Sequence, residues 1–329
     1  MASNRIYLID VTNRDGVQTS RIGLAKLEKT MINKYLDGMG VFQSEFGFPM
    51  TSHESSYLNA NLRLRGAKVL KNIRLSGWCR AIVKDVKKSL ELVPGIEYFN
   101  VSISTSNQMI KGKFKGKFGW SDILENMQEA VKYALDNGAK AVGVNAEDAS
   151  RTDNDRLIEF TETARDAGAD RVRYCDTLGY DTPFSIYDKI YEIASATQVP
   201  MELHCHNDLG MAVANTVSGA KAALDAGVDA YMNTTVNGIG ERAGNADLVS
   251  CILAVQKGAG MDNGYRLDSK VKLKHAWRIA KYASQCFRIP IPVNQPAIGD
   301  NAFAHESGIH VDGALKDSRN YELYHFSEV

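Results

Sequence analysis

The chain carries no surplus of either charge: 39 basic residues face 39 acidic ones, with a formal net charge of +0 and a pI near 7.0. With no bulk field to draw it to nucleic acid or an anionic membrane, any anionic ligand must be captured locally. Long hydrophobic runs are missing as well. None approaches the ~20 apolar residues of a membrane span, and the opening MASNRIYLID has no basic stretch leading into an apolar core. Neither insertion nor export is expected. Cysteine is sparse and unpaired in pattern: Cys79, Cys175, Cys205, Cys251 and Cys286 are odd in number, scattered and without a CxxC. Free thiols in a reducing compartment, the cytoplasm, are the expectation. Only 7 prolines occur, and three of them, Pro290, Pro292 and Pro296, crowd one short stretch, RIPIPVNQPAIGD.

What is present is ordinary globular material, 44% hydrophobic, enough for a large core. Short apolar or β-branched runs alternate with helix-period segments. The strands are expected at 5–12, 41–48, 72–79, 98–105, 141–148, 171–177, 201–208 and 229–238, with helices such as ILENMQEAVKYALDNG and FSIYDKIYEIASA between them. Repeated over roughly 260 residues, that pattern predicts an α/β fold, a (β/α)8 TIM barrel, over 1–265. A doubly wound open sheet is the alternative, but no GxGxxG turn follows the first strand. Residues 266–329 then form a short C-terminal helical arm or subdomain: a helix, the proline-rich link, and a segment too poor in apolar residues to fold alone.

In such barrels chemistry lies where strands end and loops begin. Strand one ends in VTNRDGVQ and strand seven in HCHND. Alternation along a strand points His204 and His206 the same way and Cys205 the other. Two imidazoles beside a carboxylate, which Asp15 can supply, form an open metal site; a pair of hydrogen-bonded barrel histidines is the plainer reading. Arg14 can hold a carboxylate or a developing oxyanion, or simply pair with Glu45. Glu147 and Asp148 are acid/base groups, site supports or partners for Arg151, and Thr177 is a hydrogen-bond donor or merely a good strand former. Asn245 can ligate or orient a ligand, and Glu241 and Arg242 can pair with each other. In KGKFKGKF, lysines at alternate positions (Lys111, Lys113 and their neighbours) make a comb for anionic phosphates or a solvated loop.

Taken together, RDGVQ, EFGFP, EDASRTD, HCHNDLG, NGIGERAGN and HESGIHVDG resemble the motifs of the metal-dependent Claisen-condensing acyltransferases. This is the group of isopropylmalate and homocitrate synthases, related to hydroxymethylglutaryl-CoA lyase. The resemblance covers nearly the whole chain and is nearest to the group's Re-type citrate-forming branch. It implies a divalent metal on Asp15, His204 and His206 with Asn245 as fourth ligand or support, Mn2+ before Co2+, Zn2+ or Mg2+. It implies Arg14, Glu147, His310 and Tyr321 as catalytic residues. Substrate contacts fall on Arg14, Gln18, Glu45, Ser104 and Thr177, and CoA phosphates on Lys111 and Lys113. The implied substrates are acetyl-CoA and a 2-oxo acid, oxaloacetate first, with 2-oxoglutarate and 2-oxoisovalerate as alternatives and hydroxyacyl-CoA cleavage less favoured. A homodimer supplying the arm in trans is implied as well, with no nucleic-acid or membrane partner. Asn13 and Val17 depart from the leucine and glutamate usual at those positions, beside the expected oxo-acid site.

Overall fold

The computed structural model describes residues 4–261 and 266–329. Its centre is a closed parallel barrel. The strands are β1 (Arg5–Asp10), β2 (Gln43–Gly47), β3 (Arg74–Arg80), β4 (Tyr98–Ser104), β5 (Ala141–Glu147), β6 (Arg171–Asp176), β7 (Met201–Cys205) and β8 (Ala230–Thr234). They run in sequence order, and β1 pairs with both β8 and β2 to close the cylinder. A two-residue strand, β9 (Arg266–Leu267), pairs with the start of β1 at Arg5 and Ile6, below the point where β2 takes over at Ile9. The TIM barrel is therefore the fold, and the open sheet is not.

Around it lie α1 (Lys26–Met39), α2 (Ser52–Gly66), α3 (Val83–Leu92), the short α4 (Asn107–Gly112), α5 (Trp120–Asp136), α6 (Asn154–Asp166), α7 (Pro183–Thr197), α8 (Ala212–Asp225) and α9 (Leu248–Lys257). Local chemistry sets their starts. Pro183 opens α7 behind a Thr182 side chain that accepts from Ser185 N, and Asp247 caps α9 in the same way through Ser250 N. The longer helices turn buried apolar residues to the outside of the barrel: Ile186 and Ile190 of α7, Leu203 of β7 and Ala220 of α8 lie in one core with no solvent exposure.

The barrel's interior is of another kind. Arg171 and Arg173 alternate along β6, and Glu202 and His204 along β7. Arg173 reaches Glu45 on β2 at 2.7 Å, across the width of the cylinder, so these side chains fill the inside. Gly143 on β5 makes room for this, because a Cβ there would stand 2.5 Å from Asn100 Oδ1 and 3.1 Å from the Arg171 guanidinium. At the N-terminal end Tyr7, Phe42 and Tyr231 close the interior, Tyr7 and Tyr231 stacking at 5.0 Å with Arg171 over the Tyr231 ring at 5.2 Å. The polar mouth lies opposite.

Beyond β9, α10 (Ala276–Phe287) packs on α1, where Tyr35 and Tyr282 meet at 5.0 Å. The proline-rich link follows, tied to the barrel by a Gln295–Asp247 hydrogen bond of 3.2 Å. Then comes α11 (Gly308–Lys316), in which no residue is buried. The last residues return to the barrel through Lys257–Glu328 at 2.6 Å. All five cysteines are buried and free, and among the described residues no helix is long and apolar enough to cross a membrane.

Candidate metal centre

Asp15 leaves β1 on a tight turn in which its own N–H donates to Val11 O at 2.7 Å, folding the carboxylate back over the mouth. Strand β7 delivers His204 as its penultimate residue, and His206 follows in an isolated bridge with Asn245. The three side chains converge. One ligand atom from each of Asp15, His204 and His206 lies within 4.8 Å of the others, and all three residues are buried. Asp15 Oδ2 is 3.1 Å from His204 Nε2 and 3.9 Å from His206 Nε2, and the two rings stand perpendicular, 5.0 Å apart.

Unused valences test whether the site suits a metal. Asp15 Oδ1, His206 Nδ1 and Asn245 Oδ1 are buried without a hydrogen-bond partner. Three orphaned polar atoms on the residues of one buried cluster would be costly in a closed protein, and a cation can satisfy the two oxygens among them. Electrostatics agree. Burial pushes the Asp15 carboxyl up, but the Arg14 charge and the His204 hydrogen bond overcome it and hold it ionised, well below the usual carboxylate range. Burial, with His204 nearby, lowers His206 to about 3, so that ring is neutral and carries a lone pair. Asn245 is pinned by glycines: a Cβ on Gly240 would sit 2.0 Å from the Asn245 amide, and Gly244 turns at φ +93, where a Cβ would meet Gly238 O at 2.1 Å.

Arg14 stands behind this group, donating from Nη1 to Asp15 at 3.2 Å and from Nε to Glu45 at 2.5 Å. Glu45, expected among the substrate contacts, is instead fully buried and gives its oxygens to Arg14, Arg173 and Asn100. It supports the arginine from below. Two buried guanidiniums outweigh the burial that would raise it and lower its pKa from 4.5 to about 2. A group depressed in the folded state stabilises above its unfolded pKa, and that stability is lost as pH falls from about 4.5 toward 2. Glu45→Gln is expected to lose about 3 kcal/mol at pH 7 and to show a flatter acid limb. Denaturant titrations of the metal-free proteins from pH 7 downward check this, and parallel wild-type and variant curves would contradict it.

A cavity of about 210 Å³ opens above the centre. Arg14, Gln18, Glu147, Thr177, Glu241 and the two histidines line it, together with Trp78, Ser102, Asn145, Arg173 and Cys175, which the sequence did not single out as site residues. Alternating polar residues inside buried strands were the available sign for Ser102, Asn145 and Arg173. Thr177 Oγ1 accepts from Asp148 N at 2.9 Å, and Asp148 pairs with Arg151 at 2.7 Å. Arg242 pairs with Asp208 at 2.9 Å rather than with Glu241.

The lysine comb does not form. Lys111 lies in α4 and Lys115 takes φ +52, so the segment is coiled, not extended. Lys113 turns inward to Glu147 at 2.6 Å and to Ser104 at 3.2 Å, while Ser104 also donates to Glu147. Asn13, expected beside the oxo-acid site, points away from it and donates to Lys29 O and Asn33 Oδ1 of α1, both at 2.9 Å. His310 and Tyr321 do not line the cavity. They sit on the arm with ring centroids 4.3 Å apart, His310 exposed and Tyr321 42% exposed.

Comparison with known proteins bears on this arrangement. Residues 5–282 match the HMGL-like family and residues 297–329 the homocitrate synthase post-HMGL domain-like family. The chain is 58% identical to the citrate (Re)-synthase of Dehalococcoides mccartyi (strain CBDB1), over 99% of this chain and 78% of that protein. It is 41% identical to 2-isopropylmalate synthase 2 of Caldanaerobacter subterraneus subsp. tengcongensis, over 98% and 79%. It is 35% identical to homocitrate synthase 1 of Nostoc sp., over 99% and 81%. In fold it matches the HMG-CoA lyase of Bacillus subtilis with a TM-score of 0.68 at 18% identity, over 88% of this chain and 96% of that one. A barrel of this topology, closed over an aspartate and two histidines and matched along nearly its whole length, belongs to the HMGL-like family.

Proposed function

We propose that the chain is a Re-type citrate synthase, condensing acetyl-CoA with oxaloacetate and hydrolysing the thioester to give citrate and CoA. The observation that carries this is the cavity wall beside the aspartate–histidine centre. A branched-chain oxo acid asks for an apolar pocket, whereas here Ser102, Asn145 and Thr177 offer hydroxyl and amide groups. A dicarboxylic oxo acid suits such a wall. The 58% identity to a citrate (Re)-synthase, against 41% and 35% to isopropylmalate and homocitrate synthases, points the same way.

Asp15, His204 and His206 would hold a divalent cation, with Asn245 offering its free carbonyl oxygen. Nitrogen and oxygen donors of this kind suit manganese first, and cobalt, zinc or magnesium after it. When bound, the ion supplies Lewis-acid polarisation of the oxo acid's carbonyl. Arg14 orients the oxo acid and neutralises the negative charge that appears on its carbonyl oxygen when the carbon–carbon bond forms. His310 takes the methyl proton of acetyl-CoA, with Tyr321 stacked against its ring to fix it. The methyl carbon bonds to the oxo carbon, a proton completes the new hydroxyl, and water cleaves the thioester, releasing CoA. Glu147, 2.6 Å from Lys113, sits where it can exchange a proton with that water.

His310 lies on an exposed helix and does not line the cavity of its own barrel, so we place it over the mouth of a second copy in a homodimer. The exposed Ile309, Leu315 and Leu323 of the arm need cover, and Leu178, Tyr180 and Leu209 stand exposed on the loops after β6 and β7. Buried free thiols accord with a cytoplasmic setting. Supplying methyl-labelled acetyl-CoA with oxaloacetate, 2-oxoglutarate and 2-oxoisovalerate in parallel tests the reading. Citrate labelled in the arm set by attack on the Re face is expected to dominate; a faster reaction with either other acid would overturn the assignment.

A further inference from the structure

A continuous path of side-chain contacts runs beneath the site. From Asp15 it passes to Arg14 at 3.2 Å, Glu45 at 2.5 Å, Arg173 at 2.7 Å, Glu202 at 2.6 Å, Asn233 at 2.7 Å and His204 at 2.7 Å, and closes on Asp15 at 3.1 Å. Every member is buried. Most links are ion pairs whose donors are unambiguous. The two through Asn233 are not: an amide can face either way and an imidazole has two tautomers.

Glu202 resolves both. It takes Arg171 Nε on one oxygen and Arg173 Nε on the other, each at 2.6 Å, and so is held as a carboxylate that can only accept. The Asn233 group facing it at 2.7 Å must then be the amide NH2, which turns the amide oxygen toward His204 Nδ1. An oxygen there requires Nδ1 to carry a proton. In a neutral ring the lone pair is then on Nε2, the nitrogen that faces Asp15. His206 has no such backing, since its Nδ1 is without a partner.

We infer that Asn233, oriented by Glu202, is a positioning residue that fixes the ring and tautomer of His204 so that Nε2 is presented to the cation. The inference rests on His204 being a ligand, and neither Asn233 nor Glu202 lines the substrate cavity. Its charge pattern also ties the ligand to the arginine that faces the oxo acid, because the same Arg173 anchors Glu202 and Glu45.

The test is competition titration of Mn2+ and Zn2+ against a chelator with metal-free wild type, Asn233→Leu, the double variant Asn233→Asp with Glu202→Gln, and His204→Ala, alongside thermal unfolding without metal. Losing such a partner weakens metal binding by about ten- to a hundredfold. Asn233→Leu is expected to show that loss with metal-free unfolding close to wild type. Asn233→Asp keeps an acceptor for Nδ1–H but sets its other oxygen against the Glu202 carboxylate, so it is made together with Glu202→Gln, whose amide can donate to it; the double variant is expected to lie nearer to wild type. In the zinc form, a slowly exchanging His204 Nδ1–H resonance is expected in wild type and not in Asn233→Leu. Wild-type affinity in Asn233→Leu, or equal losses in the leucine variant and the double variant, overturns the inference while leaving the metal centre standing. Wild-type affinity in His204→Ala overturns the metal centre itself, and this inference with it.

Discussion

His204→Ala and His206→Ala are each expected to give a folded chain that no longer retains its ion and turns over at a small fraction of the wild-type rate. Fold and function separate here because of where the imidazoles sit. Neither is part of the apolar layer between strands and helices; both occupy the polar mouth, and His206 leaves one nitrogen without a partner. Truncating the under-satisfied His206 costs little stability, and losing the Asn233 and Asp15 contacts of His204 costs about 1–3 kcal/mol, which a barrel with this core survives; removing either ligand opens the centre. Lewis-acid help is worth several kcal/mol, so a loss on the order of a thousandfold in kcat is expected. Elemental analysis after dialysis, with circular dichroism on the same samples, decides. Full metal occupancy in both variants would remove the ligand assignment.

The second large effect concerns the arm. Asp15→Asn spoils the barrel and leaves His310 intact; His310→Ala does the reverse. Each is expected to be nearly inactive alone. If the arm serves the partner's barrel, a mixed dimer contains one site with a wild-type barrel and a wild-type arm. Co-expression at equal levels should then restore about a quarter of wild-type activity, since half the dimers are mixed and each holds one good site of two. Activity no higher than that of the separate variants would place His310 over its own barrel or outside the reaction. The lack of any buried residue in α11 favours exchange, because such a helix gains little where it stands.

Much of the scaffold was readable from residues alone. Runs such as AVGVNAE and RVRYCD could be little else than buried strands, and their order fixed the closed parallel topology. Strand ends were read too long where polar residues leave the sheet. The run from 201 stops at Cys205 because His206 turns into the mouth and Asn207 accepts from Ala212 N at the start of α8, and the run from 229 stops at Thr234 before Asn237 and Gly238 adopt positive φ. The His-x-His fork and Asp15 were visible as a pattern of period two joined to a strand-end carboxylate. What could not be read was the depth of Glu45, because its partner Arg173 is 128 residues away and the pair forms only across the closed cylinder. Lys113 misled for a similar reason: in sequence it is one tooth of a charge comb, and in space it answers the single carboxylate of Glu147. Asn13 misled by adjacency, since the residue next to Arg14 in the chain faces the opposite side of the turn.

The central claim is that β1 and β7 together hold a divalent cation at the mouth of the barrel. Diffraction from crystals grown with Mn2+, recorded on either side of the manganese absorption edge, tests it most directly. The account predicts one anomalous peak roughly 2.0–2.2 Å from Asp15 carboxylate oxygen and from Nε2 of His204 and His206. A peak bound elsewhere, or none beside these residues in a crystal whose protein is active with manganese, would contradict it.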